Sequence, residues 1–447
     1  MKKFAFWAVI AIAFASCSRT SDTIIRFHSE GSPLRSTPIL MTKDSTYTLP
    51  IDSTQSVVYT LPAVFEPAYG ALFLDDSHVL LYIEPGKGFD VTIKMEEGKP
   101  IPTFTGKGAG KNRYLNNDSL HYTPDYNLTE AEFMTSLDAC LKNRFTFLDA
   151  QHFDAPFTEL EKKRLTYTVY ASLPDYPGYH VFQTQQWEYQ PTQAYYDKID
   201  SIFTEDADLV DLAVYQQFIR RYVVMKQAQN VDNISDLQYA RNELDYVTRH
   251  FREPAVIEHL VDNIIYAYVE RLGISDLPSL SPFYENYVHS VKKKATFKAL
   301  CDKWIRIAPG QPSPSFAYRD INGQEVSLSD LAGKYVYIDV WATWCGPCCR
   351  ELPALKKLEE KYAHRNIHFV SISCDQDRSV WEKFVKEEKL NGIQLQSFRN
   401  DDFIKTYMIS TIPRFILIDR EGRIMNAHMS RPSEPETEKF IETLKGL

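Results

Sequence analysis

The feature that most constrains this chain of 447 residues is the string Trp341-Ala342-Thr343-Trp344-Cys345-Gly346-Pro347-Cys348, set between a continuous apolar run, Tyr335 to Val340, and a helix-like stretch. The apolar run reads as a strand in a packed sheet. The string therefore places two thiols one helical turn apart at a strand-to-helix junction. There the free N–H groups of the first turn and the helix dipole stabilise a thiolate on Cys345, and thiolate is the species that attacks disulfides.

A Cys-x-x-Cys pair has the spacing of half a zinc site, so its surroundings decide the reading. Six residues before Cys345, Asp339 lies inside the strand, where burial raises a carboxyl pKa and equips it to take a proton from a buried thiol. Far downstream, Thr411-Ile412-Pro413 leads into a second apolar run, Phe415 to Ile418. A proline entering a strand suits a cis peptide bond facing the cysteines, with the backbone of Ile412 free to pair with a substrate peptide. Asp419-Arg420-Glu421-Gly422 then reads as a tight turn. A zinc set of Cys345, Cys348, Cys349 and Cys374 would leave Pro413 and the Trp-Cys-Gly-Pro-Cys context without a role, and no metal is expected. His364 and His368 lack the glutamate that a zincin helix carries after its first histidine.

Residues from about 312 to 447 resemble the thioredoxin fold, specifically the TlpA-type membrane-tethered disulfide reductases. The residues that carry the resemblance are Leu328-Ser329-Asp330-Leu331-Ala332-Gly333-Lys334, the Trp341 to Cys348 string, Glu351 and Pro353. The resemblance implies an α/β thioredoxin fold in which Cys345 is the attacking thiol, Cys348 the resolving thiol, Asp339 the buried proton acceptor and Pro413 the cis proline. It also implies that Glu351 is a carboxylate near the active site and that Pro353 kinks the helix. Trp344, Gly346, Pro347, Ile412 and Pro413 are the candidate substrate-binding residues. The cysteines carry the electrons themselves, so no cofactor is expected. Two positions depart from the family: Cys349 stands where a basic residue is common, and Arg414 follows Pro413 where threonine is usual.

A chain of this length suggests about three domains at roughly 150 residues each. Its formal charge of -9 and the absence of any basic run longer than Lys292-Lys293-Lys294 argue against a nucleic-acid partner. Lys2 and Lys3 precede a 12-residue apolar run, Phe4 to Ala15, too short to span a bilayer and suited to a signal peptide. Phe14-Ala15-Ser16-Cys17 then resembles a bacterial lipoprotein cleavage box with phenylalanine in place of leucine. The expectation is a signal peptide over 1–16, lipidation of Cys17 and a tether over 17–22. That places the protein in the cell envelope, lipid-anchored and facing the periplasm, with the membrane surface and a membrane electron donor as partners. An ordinary signal peptide cut near Ala15 is the competing reading.

Alternation of apolar and polar positions over 23–110 predicts a small antiparallel β domain, with strands at Ile24 to His28, Val57 to Leu61, Val79 to Ile83 and Phe89 to Lys94. The string Leu81-Tyr82-Ile83-Glu84-Pro85-Gly86 is similar to the β domain that precedes the thioredoxin module in a group of bacterial lipoproteins. The glycine-rich stretches 84–88 and 106–110 lack the Walker spacing and read as turns. Helical periodicity over 111–305 predicts an all-α domain, with helices at Leu128 to Ala150, Asp208 to Gln229, Ser235 to Phe251, Ala255 to Leu272 and Pro282 to Ile305. Tyr176, Tyr179, Trp187, Tyr189, Tyr195 and Tyr196 read as aromatic core with half-exposed rims. The proline-rich 307–314 opens the thioredoxin-like domain, 306–447, and Asn322-Gly323 gives it a hairpin turn.

Seven cysteines in this distribution are not a disulfide framework. Cys140 and Cys301 read as small hydrophobes, Cys349 as outward-facing, and Cys374, at the end of a strand pointing to the active-site edge, as packing or as a modulator of the redox pair. The function implied is extracytoplasmic reduction of protein disulfides. The Gly346-Pro347 dipeptide is that of thioredoxin, near -270 mV against about -120 mV for the strong periplasmic oxidant. Two rivals are a peroxiredoxin-like peroxidase, although no Pro-x-x-x-Thr pattern precedes Cys345, and a binding lipoprotein with a secondary thioredoxin module.

Overall fold

The computed structural model describes residues 22–31, 34–43, 45–61, 66–75, 77–96, 99–227, 234–397 and 402–447. The expected signal peptide over 1–16 and Cys17 lie outside the described residues. The chain packs as two compact units, one of 22–204 with 208–222 and the other of 205–207 with 223–447.

In the first unit the four expected strands form, together with four that were not expected. They are β1 (Thr23–Glu30), β2 (Ile39–Met41), β3 (Thr46–Thr48), β4 (Ser56–Leu61), β5 (Ala68–Leu74), β6 (Ser77–Ile83), β7 (Phe89–Glu96) and β8 (Lys99–Gly106), of which β1, β4, β6 and β7 are the expected ones. Two four-stranded sheets result, ordered β4-β1-β7-β8 and β3-β2-β5-β6. Alternate residues of β1 and β7, including Ile25, Phe27, Val91 and Ile93, bury one face into a core shared with Leu72, Leu74 and Leu81. One ladder corrects the expectation of a purely antiparallel domain: β1 pairs parallel with β7. The chain passes through the other sheet between these strands, so β7 arrives from the same end as β1. The glycine-rich stretches serve backbone approach, since a Cβ on Gly88 would fall 2.5 Å from Ile24 O and one on Gly108 would overlap Lys87 O.

Helices α1 (Ala109–Leu115), α2 (Glu130–Asp149), α3 (Ala155–Tyr170), α4 (Tyr176–Thr184), α5 (Gln193–Ile202) and α6 (Ala213–Gln227) follow, and the boundary between the units falls inside α6. A capping box of Thr129 and Glu132 starts α2, and Asp154 caps α3. Buried Lys111 of α1 binds Glu84 Oε1 at 2.7 Å and Asp154 Oδ2 at 2.6 Å, which ties the β6–β7 turn to the start of α3. Tyr176 and Tyr195 are core residues, whereas Tyr179 and Trp187 are exposed.

After the end of α6, the second unit continues with α7 (Asp236–His250), α8 (Pro254–Leu272), α9 (Leu277–Tyr287) and α10 (Val291–Ile305). The single helix expected over Pro282 to Ile305 is two helices. The carboxylate of Glu258 accepts the N–H groups of His289 and Ser290 at 2.7 and 2.6 Å, and the Ser290 side chain caps α10, so the chain breaks there while Pro282 stays inside α9.

The rest is an α/β layer built from β9 (Ala317–Asp320), β10 (Glu325–Ser327), β11 (Tyr335–Trp341), α11 (Gly346–Tyr362), β12 (Ile367–Ser373), α12 (Arg378–Glu387), β13 (Ile393–Gln396), α13 (Asp402–Thr406), β14 (Arg414–Ile418), β15 (Ile424–Met429) and α14 (Pro435–Glu442). Its seven strands run β10-β9-β13-β12-β11-β14-β15. The ladders β11–β12 and β12–β13 are parallel, and β14 returns antiparallel to β11. All seven residues of β11 are buried, which is why this strand reads as one apolar run.

Candidate active site

The sheet order puts the C-terminal end of β11 beside the N-terminal end of β14. Cys345 follows β11 and is the N-cap of α11. Cys345 and Cys348 are joined by a disulfide with a Cα separation of 5.2 Å. The N–H of Cys348 donates to Cys345 Sγ at 3.2 Å, so a first-turn amide is aimed at the sulfur of the first cysteine. The Ile412–Pro413 peptide bond is cis, and Ile412 O lies 3.8 Å from the same sulfur.

Trp344, Cys345, Gly346, Pro347 and Ile412 share one cleft of about 340 Å³ with Cys374, Ile404, Ile409, Ser410 and Thr411. Trp344 is 61% exposed beside a cysteine that is 5% exposed, so the indole is an apolar shelf at the rim. Pro413, Asp339 and Glu351 stand outside the cleft lining. Asp339 is fully buried behind it on β11, opposite Ser371 of β12. Burial first, then the charges of Glu359 and Glu351, push its carboxyl up to about 8, against a hydrogen bond with Ser371 that lowers it. Glu351 is buried on α11 and accepts from Ser433 N and Oγ at 3.0 Å each. Arg431 reaches it at 3.8 Å. Pro353 lies inside α11.

The two departures from the family pattern have definite places. Cys349 is half-buried, its thiol donates to Thr343 O at 3.6 Å, and burial pushes its pKa up. Arg414 is buried and turns toward the helical part of its own unit, its guanidinium over the Trp304 ring and donating to Arg271 O at 3.0 Å. Of the remaining thiols, Cys374 is buried in the cleft wall, while Cys140 and Cys301 are half-buried with pKa values raised by burial.

Two residues escaped sequence reasoning. Asp375 accepts from Thr343 N at 3.0 Å and Thr343 Oγ1 at 2.7 Å, and so braces the loop that carries Trp344 and Cys345. Its signal is its place just beyond the end of β12, where Ser373 pairs with Trp341. Glu359, two turns after Glu351 on α11, is buried and pushed up to about 7, chiefly by burial. Its place on a largely polar helix gave it no distinguishing mark. Among the described residues no group of histidine, cysteine and carboxylate side chains is arranged to hold a metal ion.

A buried strand, a disulfide at the head of the following helix and a cis proline facing it define a thioredoxin-like oxidoreductase. Residues 308–444 match the Redoxin family. Over this region the chain is similar to the thiol-disulfide oxidoreductase ResA of Bacillus cereus, with 27% identity over 135 residues, 30% of this chain and 78% of the relative. The ResA of Geobacillus kaustophilus is 28% identical over 139 residues, 31% of this chain and 79% of that protein. Among solved structures, a putative thiol-disulfide oxidoreductase from Bacteroides vulgatus shares 61% identity over 30% of this chain and 89% of its own, with a TM-score of 0.28. A putative thiol:disulfide interchange protein DsbE from Chlorobium tepidum shares 27% identity over 30% of this chain and 94% of its own, with a TM-score of 0.28. The protein is a thioredoxin-like enzyme of thiol-disulfide redox chemistry.

Proposed function

We propose that this protein is a TlpA-type reductase of protein disulfides, held in the bacterial cell envelope by lipid on Cys17 and facing the periplasm. The observation that carries the chemistry is the Cys348 N–H set 3.2 Å from Cys345 Sγ at the mouth of an apolar cleft. In the reduced protein that amide and the dipole of α11 favour a Cys345 thiolate. The thiolate attacks one sulfur of a substrate disulfide, a mixed disulfide forms and one substrate thiolate leaves. Cys348 loses its proton toward Asp339, which is basic enough to hold one because it is buried beside other carboxylates. Cys348 sulfur then attacks Cys345 Sγ, the second substrate thiol departs, and two electrons have passed from the protein to the substrate.

In this reading Trp344, Gly346, Pro347, Ile412 and Pro413 receive the substrate, with the Ile412 backbone pairing with its peptide. Glu351 acts through its charge on Asp339. A membrane electron donor restores the thiols, and the Lys2 to Cys17 sequence supports the envelope location. The test is trapping. Cys348→Ser should accumulate a mixed disulfide with an oxidised protein substrate such as insulin, and Cys345→Ser should form none. A Cys345/Cys348 potential near that of the strong periplasmic oxidant would reverse the proposed direction of electron flow.

A further inference from the structure

Arg144 on α2 is 3% exposed, and its Nε and Nη1 donate to no protein atom among the described residues. Its Nη2 donates to Leu120 O, and its Cζ lies 5.9 Å from the centre of the Tyr122 ring. No ion pair with a carboxylate offsets this charge among the described residues. The nearby buried carboxylate, Glu161, is taken by Arg164, which binds it through Nε and Nη2 at 2.7 Å each. A buried cation with two unmet donors is costly unless something supplies the missing charge.

Leu120, Tyr122 and Arg144 line an open cleft of about 600 Å³ in the first unit. Arg144 is thus part of the cleft wall, its guanidinium against the Leu120 carbonyl and the Tyr122 ring, with Nε and Nη1 sealed beneath the surface. A second arginine in the wall, Arg221, is already matched, 2.5 Å from Asp175 Oδ2 and donating to Ala171 O at 2.9 Å. With that pair cancelling, one positive charge is left over. Tyr126 and Tyr179 line the same cleft with their rings stacked at 4.8 Å, and Tyr179 is 51% exposed. Residues 121–129, which supply four of the lining side chains, are irregular chain and turn.

We propose that this cleft is a binding site for a small aromatic monocarboxylate, its carboxylate on Arg144 and its ring against Tyr179. One surplus charge suits a monoanion, and a phosphate dianion would bring one negative charge more than the wall offsets. The site is independent of the redox pair. Isothermal titration of the full chain at pH 7 with benzoate, the isosteric neutral benzamide and inorganic phosphate tests it. Benzoate should bind roughly tenfold or more tighter than benzamide, the factor a charge-assisted contact commands, and tighter than phosphate. Arg144→Met should abolish the preference for benzoate, and Tyr179→Ala, a rim change, should weaken benzoate and benzamide together. Equal affinity for benzoate and benzamide, no benzoate binding at millimolar concentration, or benzoate binding unchanged in Arg144→Met would overturn the proposal, and phosphate as the tighter ligand would overturn the monocarboxylate. Should Arg144→Met fail to fold, the wild-type comparison and Tyr179→Ala decide.

Discussion

Arg414, one residue beyond the cis proline, donates through Nη2 to the carbonyl of Arg271 in the last turn of α8 at 3.0 Å. A second, longer bond reaches Ala427 O at 3.4 Å, and the guanidinium lies over the Trp304 ring of α10. A cation at a helix C-terminus meets carbonyls that have no partner within the helix, so this side chain fastens the start of β14 to the helices before the redox module. Arg414→Ala should cost about 3 kcal/mol, from an emptied buried volume and unpaired carbonyls. Arg414→Met, which refills the space, should cost about half of that. Denaturant midpoints of the two variants give the comparison, and equal losses would mean that packing beside Trp304 contributes nothing.

Lys111 and Glu84 form the matching tie in the first unit. The Lys111 side chain is 8% exposed and that of Glu84 12%, and the ammonium also lies 5.0 Å from the Tyr82 ring centre. Removing one partner of a buried pair strands the other. Lys87 still reaches Glu84 at 2.8 Å, so Lys111→Met should cost about 2 to 3 kcal/mol rather than the full penalty. Adding Glu84→Gln should recover part of the loss, because the more buried of the two carboxylates that Lys111 served is then neutral, while half-exposed Asp154 keeps its water. A double mutant less stable than Lys111→Met alone would contradict this account.

What was legible in the sequence follows the strength of the local signal. The run from Tyr335 to Cys348 announces itself because a strand buried on both faces must be continuously apolar and a thiol pair needs a helix start. Four of the eight strands of the first unit, β1, β4, β6 and β7, were legible from alternation, while β2, β3, β5 and β8 were not. The one parallel ladder was not legible either, because pairing direction depends on where the chain has travelled between β1 and β7. The break between α9 and α10 was hidden for a similar reason: the carboxylate that accepts the His289 and Ser290 amides is Glu258, some thirty residues earlier. Asp375 and Glu359 matter through neighbours brought to them by the sheet, so nothing adjacent in the sequence marks them. The helices α3, α4 and α5 passed without distinct periodicity, since α3 buries Glu161 and Arg164 alongside its apolar residues and blurs the pattern.

Cys349 should not substitute for Cys348. Its thiol is occupied by the Thr343 carbonyl at 3.6 Å, and burial raises its pKa, so little thiolate forms near neutral pH. After reduction, brief iodoacetamide treatment at pH 7 followed by peptide mass mapping should label Cys345 well before Cys349. The Cys348→Ser mixed disulfide should persist for the same reason. Its rapid resolution, lost again on adding Cys349→Ser, would show that the helix admits a second resolving thiol.

The buried carboxylates make stability depend on pH in a direction that can be worked out. Asp339 rises from 3.8 in the unfolded chain to about 8 when folded, and Glu359 from 4.5 to about 7. A group whose pKa is raised on folding holds its proton more tightly in the native state. Its contribution is fully present below the unfolded value and is lost as pH climbs through the folded one. The wild-type oxidised protein should therefore lose stability between pH about 4 and about 8, by several kcal/mol at most on the linkage of about 1.4 kcal/mol per unit. Asp339→Asn, which has no proton to lose, should show a shallower decline and be the more stable protein at pH 8. In Glu359→Gln the like charge nearest in effect to Asp339 is gone, so the Asp339 titration should move down in pH while the carboxyl stays raised by burial. Urea denaturation of the three proteins across this range reads both effects. An Asp339→Asn profile parallel to that of the wild type would mean that folding does not raise the Asp339 pKa, and its proposed strength as a base toward the Cys348 proton would fall with that result.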